Sequence, residues 1–217
     1  VARTTVPLTL DLLDALFADA DAPCRTCLFW EREPVHRERL APAERAAEKE
    51  AWVSELLREW GSCGRVALVD GRPVGYVVYA PASYVPGAAA FPTAPVSADA
   101  VLLTTAWVRP DQVRGGTGRL LVQGMARDLV GRDGIRAVEA FARTGRLGSG
   151  RVPDCVVPEE FLARVGFKTQ RAHPSTPRMR MEMRSLATWR EEVEAAWERL
   201  VGVVRRPKHA PTPVSRR

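Results

Sequence analysis

Long apolar runs are missing from this chain of 217 residues: nothing approaches the roughly 18–20 uninterrupted apolar residues of a membrane-spanning helix. The opening segment, VARTTVPLTLDLLDALFADADAP, carries acids through its apolar part and so does not read as a secretory signal. The expectation is a cytoplasmic protein with no membrane partner. Histidine is scarce, at three residues, and no H-x-x-x-H pair occurs. There are only four cysteines: Cys24, Cys27, Cys63 and Cys155. The CRTC run has the spacing of a zinc half-site or a redox motif, but no second C-x-x-C completes a metal site and no strand precedes the pair. Zinc and ordinary buried or site-lining thiols are the alternatives, and thiols with no metal are expected.

Acidic residues are missing from the tail, residues 205–217, which holds five of the 32 basic residues and is punctuated by proline. The rest of the chain carries 27 basic against 26 acidic residues, a net charge of +1 rather than the +6 of the whole. A nearly neutral body argues against nucleic acid as a main partner, and the tail reads as a solvated, disordered end. With 46% hydrophobic and 27% charged residues, the remainder has the composition of a globular domain with one sizeable core.

No internal repeat or second core is evident. TVPLTLDLLDALFA reads as a short strand and a helix with Leu12, Leu13, Leu16 and Phe17 on one face, and DAPCRTCLFWEREP as a loop. From Pro42 a helix carries Trp52, Val53, Leu56, Leu57 and Trp60 as a stripe, ended by Gly61. RVALVDGRPVGYVVYA is a hairpin turning at Asp70 and Gly71. SYVPGAAAFPTAPVSA is a surface loop. Residues 100–108, nearly continuous in apolar and β-branched residues, form a central strand. A helix over 117–130 follows, with Leu121, Met125 and Leu129 at four-residue spacing, then a strand over 135–142 and a short helix, EEFLARVGF. RMRMEMR alternates with period two and buries Met179, Met181 and Met183. Finally, residues 186–204 form an amphipathic helix with a Thr188/Glu191 capping box. Its apolar stripe (Leu186, Trp189, Val193, Trp197, Leu200, Val204) is expected to pack on its own domain or on a second copy, a possible homodimer.

Between the central strand and the helix over 117–130 stands VRPDQVRGGTGRLL, with three glycines in four positions. A strand, a glycine turn and a helix N-terminus together make an anion site, because unpaired N–H groups point outward and nothing shields them. Arg114 and Arg119 flank it. The run lacks the Gly-Lys-Ser/Thr of a Walker loop and the G-x-G-x-x-G spacing of a dinucleotide fingerprint. A plain glycine-rich turn is the alternative.

The same run resembles the signature of the GNAT superfamily, the acyl-CoA-dependent N-acyltransferases: a strand ending V-x-P, then R/Q-x-x-G-x-G/A, then a helix. Val108 and Pro110 close the strand, Gly116 and Gly118 are the signature glycines, and Arg119, Leu120 and Leu121 open the helix. VDGRPVGYVVY and FLARVGF are similar to two further family segments. The resemblance implies a mixed α/β (α+β) domain over residues 1–184, with a central, mostly antiparallel sheet flanked by helices, then a helical extension over 185–204 and the tail. It implies acetyl-CoA as acyl donor and an amine of a small molecule, peptide or protein as acceptor. The diphosphate would be held by Val113, Arg114, Gly115, Gly116, Thr117, Gly118 and Arg119, and the acyl carbonyl polarised by a backbone N–H at Trp107 or Val108.

The chain departs from the pattern in three places. Val113 stands for Arg or Gln. Leu162 stands where many members carry a tyrosine that returns a proton to the departing CoA thiolate. In the N-x-x-A-x-x-L-Y segment that ends there, Cys155 takes the Asn position, Pro158 the Ala and Phe161 the Leu. Cys155 is thus the candidate catalytic residue, as proton donor or, second, as nucleophile; an inert small side chain is the alternative. Glu159 and Glu160 read as helix-start acids. Phe29, Trp30 and Glu31, with His36 nearby, fall on the wall of the acceptor groove in the resemblance, where they would recognise an aromatic or cationic amine; an aromatic plug is the alternative. His173 is placed in an exposed turn. Two other functions stay open: an acyl-CoA-binding module without catalysis, and a partner- or RNA-binding protein acting through its basic tail.

Overall fold

The computed structural model describes residues 2–18, 24–145 and 155–183. The helix and tail expected over 186–217 lie outside the described residues. Thr9 caps α1 (Leu10–Phe17) by accepting from the Leu12 N–H, and the helix buries Leu13, Leu16 and Phe17. After the CRTC run, which forms no regular element, come α2 (Pro34–Arg39) and α3 (Arg45–Glu59). Lys49, Trp52, Val53 and Leu56 of α3 share one buried face.

Eight strands stand among the described residues: β1 (Arg3–Pro7), β2 (Gly64–Val69), β3 (Arg72–Pro81), β4 (Ala100–Val108), β5 (Ala137–Arg143), β6 (Val157–Pro158), β7 (Lys168–Arg171) and β8 (Arg178–Glu182). They form one sheet in the order β1-β2-β3-β4-β5-β8-β7, with β6 against β5. All pairings are antiparallel except β4 with β5 and β5 with β6. The β2–β3 turn places Asp70 at φ 47° and Gly71 at φ 80°, the left-handed pair that matches the twist of a two-residue hairpin. Along β3, Tyr76, Val78 and Ala80 join the core with α1 and α3. Tyr79 faces the other way and donates its hydroxyl to Asp128 of α4 (Thr117–Leu129). The sheet is therefore covered on both faces, and α5 (Glu159–Arg164) follows β6 directly.

Beyond this frame, the position of any site depends on one irregularity. Strand β4 pairs with β3 to its end at Val108, but with β5 only over Ala100, Val101 and Leu102. In the β3–β4 ladder Val78 faces Thr105 and Tyr79 faces Leu103, so Thr104 is an extra residue. Its hydroxyl donates to the Val78 carbonyl. Such a bulge bends and twists its strand, and past it β4 leaves β5. The far end of β5 pairs instead with β6, Ala142 opposite Val157. The closed end is clamped by Glu139 of β5, fully buried, which accepts from the Ser97 N–H and the Arg180 guanidinium and pairs with Arg178. A wedge thus opens between the second half of β4 and β5.

Candidate active site

The wedge leads to the glycine loop. After β4, Pro110–Gln112 makes a single 3-10 turn, Arg114 takes φ 70°, and Gly116 takes φ 83° as the residue before α4. Among the described residues no side chain caps α4, and no acid stands in its first turn. The N–H groups of Thr117, Gly118 and Arg119 therefore have no helix carbonyl to reach, since the first helical bond runs from the Leu120 N–H to the Gly116 carbonyl. Val113, Arg114, Gly115, Gly116 and Arg119 are exposed, while Thr117 is buried with its hydroxyl unpartnered. The Arg3 guanidinium of β1 donates to the Gly115 carbonyl, pinning the loop to the sheet edge. The result is a positive, unshielded helix end suited to an anion.

Trp107 and Val108 lie half-exposed at the end of β4, where the wedge opens. Arg109 donates its N–H to the Val74 carbonyl on β3. Successive N–H groups of a strand point to opposite edges, so the Val108 N–H faces the β5 side, into the wedge, and the Trp107 N–H faces β3. Of the two candidates for a polarising donor, the backbone thus favours Val108. The Trp107 ring packs at a tilt against Tyr76, centroids 6.1 Å apart.

Cys155, just before β6, is not alone. Its sulfur lies 3.7 Å from that of Cys27. The hydrogen bond between the two sulfurs is the main cause that lowers the Cys27 thiol from its ordinary range to about 6, against the penalty of burial. The same bond, with burial, pushes Cys155 far up, so the two thiols titrate as a coupled pair. Burial raises Cys24 to about 11 and Cys63 to about 12. Next to the pair, Lys49 donates to Glu31 at 2.6 Å, both side chains less than one-tenth exposed. Burial opposes the Lys49 charge, but Glu31 outweighs it and holds the lysine pKa above its ordinary value.

Two of the three residues expected on the acceptor wall are buried. Trp30 is 1% exposed and stacks on Phe91, which stacks on Phe141 of β5 at 4.3 Å; Glu31 is 4% exposed and committed to Lys49. An aromatic column and a buried ion pair hold these two side chains within the core. Only Phe29 of the three reaches the surface, with the Arg37 guanidinium 5.4 Å above its ring. His36 is exposed, 3.7 Å from Glu48. His173 is half-buried rather than exposed: its Nδ1 accepts from the Ser175 and Thr176 N–H groups and shapes that turn. Among the described residues no cluster of three His, Cys, Asp or Glu could hold a metal. Arg3 and Lys49, which sequence reasoning did not single out, stand beside these groups, and each meets its partner only through the fold.

No protein-family model matches the chain, and no curated protein does. Solved structures do match. The PaiA N-acetyltransferase of Thermoplasma acidophilum, in complex with coenzyme A, superposes with a TM-score of 0.51 over 84% of this chain and 99% of its own, at 14% identity. An N-acetyltransferase of Staphylococcus aureus gives 0.52, over 84% and 99%, at 12% identity. The loading GNATL domain of CurA from Lyngbya majuscula gives 0.51, over 85% and 100%, at 11% identity. At such identities the likeness shows the architecture alone: this chain has the fold of the GNAT acetyltransferases.

Proposed function

We propose that the protein is an acyl-CoA-dependent N-acyltransferase that moves an acetyl group from acetyl-CoA to an amine. The observation that carries this reading is the wedge between β4 and β5 opening onto the uncapped start of α4. The coenzyme A in the Thermoplasma neighbour supports it. In this reading the diphosphate sits on the N–H groups of residues 115–119, with Arg114 and Arg119 adding charge and Val113 contributing backbone only. The amide-bearing arm of the donor runs along the open edge of β4, and the Val108 N–H polarises the thioester carbonyl. Trp107 packs beneath it, and Phe29 borders the acceptor side.

The proton has a route. An amine attacking the thioester must lose a proton, and the leaving thiolate must gain one. With Cys27 ionised, Cys155 is a poor donor, because two thiolates 3.7 Å apart repel. We therefore place the pair in both steps: its thiolate takes the amine proton, and Cys155 then returns a proton to the CoA sulfur. The pair ends as it began, with one proton. Steady-state release of free CoA thiol over a panel of small amines and peptide N-termini tests the reading. Amine-dependent release supports it; acetyl-CoA binding with no release for any amine would favour an acyl-CoA-binding module, consistent with the buried leucine at Leu162.

A further inference from the structure

Cys27 and Cys155 are 128 residues apart in sequence, yet their sulfurs meet at 3.7 Å. Both are half-exposed, whereas Cys24 and Cys63 are 3% and 0% exposed. The pair is thus open to a small solute, and the other two thiols are shut away. The groups facing it are the Lys49 ammonium, the Glu31 carboxylate, the Cys24 thiol and the buried Tyr76 hydroxyl. The hydrogen bond between the two sulfurs and the nearby Lys49 both favour a thiolate at Cys27. A partly accessible thiolate beside a cation, with a second thiol poised against it, is the arrangement that oxidants select.

We propose that Cys27 and Cys155 form a peroxide-reactive thiol pair that closes reversibly into a disulfide and thereby switches the site off. The Cys27 thiolate attacks one oxygen of the peroxide; an S–O bond forms, the O–O bond breaks, and hydroxide leaves. Cys155 then attacks the sulfenic sulfur, forming the S–S bond and breaking the S–O bond, and water departs with the thiol proton. In sum, two thiols and one hydrogen peroxide give one disulfide and two waters. The sulfurs need only close from 3.7 Å to the about 2.05 Å of a disulfide. The bond would tie the segment that leads to Trp30 to the residue that leads to β6, the strand seated against the far end of β5. It would also remove the proton shared by the pair. That last consequence rests on the acyltransferase reading; the oxidation does not.

The test treats the full reduced chain with a small excess of hydrogen peroxide. It is then alkylated under denaturing conditions and its peptides mapped by mass. The expected result is a Cys27–Cys155 cross-linked peptide that dithiothreitol reverses, with Cys24 and Cys63 alkylated. In Cys155→Ser, Cys27 should accumulate as a sulfenic acid trapped by dimedone. Four alkylated thiols after treatment, or a Cys24–Cys27 cross-link in place of the expected one, would overturn the pair. Amine-dependent CoA release is followed alongside, and should vanish on oxidation and return on reduction. A cross-linked protein of undiminished turnover would overturn the switch. A reduced protein with no turnover would sink the acyltransferase reading instead, with the peptide map still deciding the pair.

Discussion

The ring of Phe161 lies against the backbone of Gly118: a methyl group on that glycine would stand 2.6 Å from the ring edge. Gly116, two residues earlier, has nothing within 4 Å of the same position but takes φ 83°. The two glycines of the loop therefore do different work. Gly118 lets α4 meet α5, and Gly116 turns the chain into the helix with open space before it. Gly118→Ala should destabilise the protein by roughly 1–3 kcal/mol through overpacking. Phe161→Leu in the same chain should recover part of that loss. Denaturant unfolding of both single variants and the double decides it; strictly additive losses would contradict the contact.

Glu31 and Lys49 make the second prediction. Removing one partner of a buried pair strands the other charge, at a cost of about 3–5 kcal/mol. Glu31→Ala should therefore destabilise strongly, and Glu31→Met with Lys49→Met should be much closer to wild type. A Glu31→Ala protein of normal stability but poor amine KM would restore Glu31 to the acceptor site.

Stability should also be bell-shaped in pH. Cys27, held at about 6 when folded, ionises below the ordinary thiol range, so its contribution is present above about 9 and lost as pH falls through about 6. Cys24 and Cys63, raised to about 11 and 12, act with the opposite sign: their contribution is complete below about 9 and is lost as pH rises through those values. Chemical denaturation under reducing conditions should show a rise from pH 6 to 9 and a fall from 9 to 12. Cys27→Ser should remove the rising limb, and Cys63→Ala should flatten the falling one. A flat profile would contradict the burial of Cys24 and Cys63 and the hydrogen bond at Cys27.

Much of the scaffold was legible because its signals are local. Asp70-Gly71 marks a turn by backbone conformation, Leu121, Met125 and Leu129 mark a helix face, and Met179, Met181 and Met183 alternate; all six apolar residues are buried. The elements that went unread have no such pattern. Helix α2 buries none of its six residues, β7 is exposed throughout, and β6 has two residues. No period can announce them. The glycine loop was legible as a strand–turn–helix junction with an open helix start, since its glycines are contiguous in sequence. The wedge was not, because it depends on where a single extra residue, Thr104, falls in a ladder. Nor was the thiol pair: a C-x-x-C run directs attention to Cys24 and Cys27 together, while the fold buries the first and turns the second to Cys155. Trp30 and Glu31 show a related ambiguity, as an aromatic next to an acid looks the same in a groove and in a core.

The central claim is that the start of α4 holds the diphosphate of an acyl-CoA, and calorimetric titration of acetyl-CoA into three proteins tests it most directly. These are the wild type, Gly116→Asn and Gly116→Asp. Asparagine and aspartate are the side chains best able to take the left-handed conformation that Gly116 adopts, and they differ in charge but hardly in size. Both variants should unfold at similar temperatures. The account predicts one site in the wild type, weaker binding in Gly116→Asn, and loss of binding in Gly116→Asp, whose carboxylate would face the phosphates. No binding to the wild type, or wild-type affinity in Gly116→Asp, would contradict it.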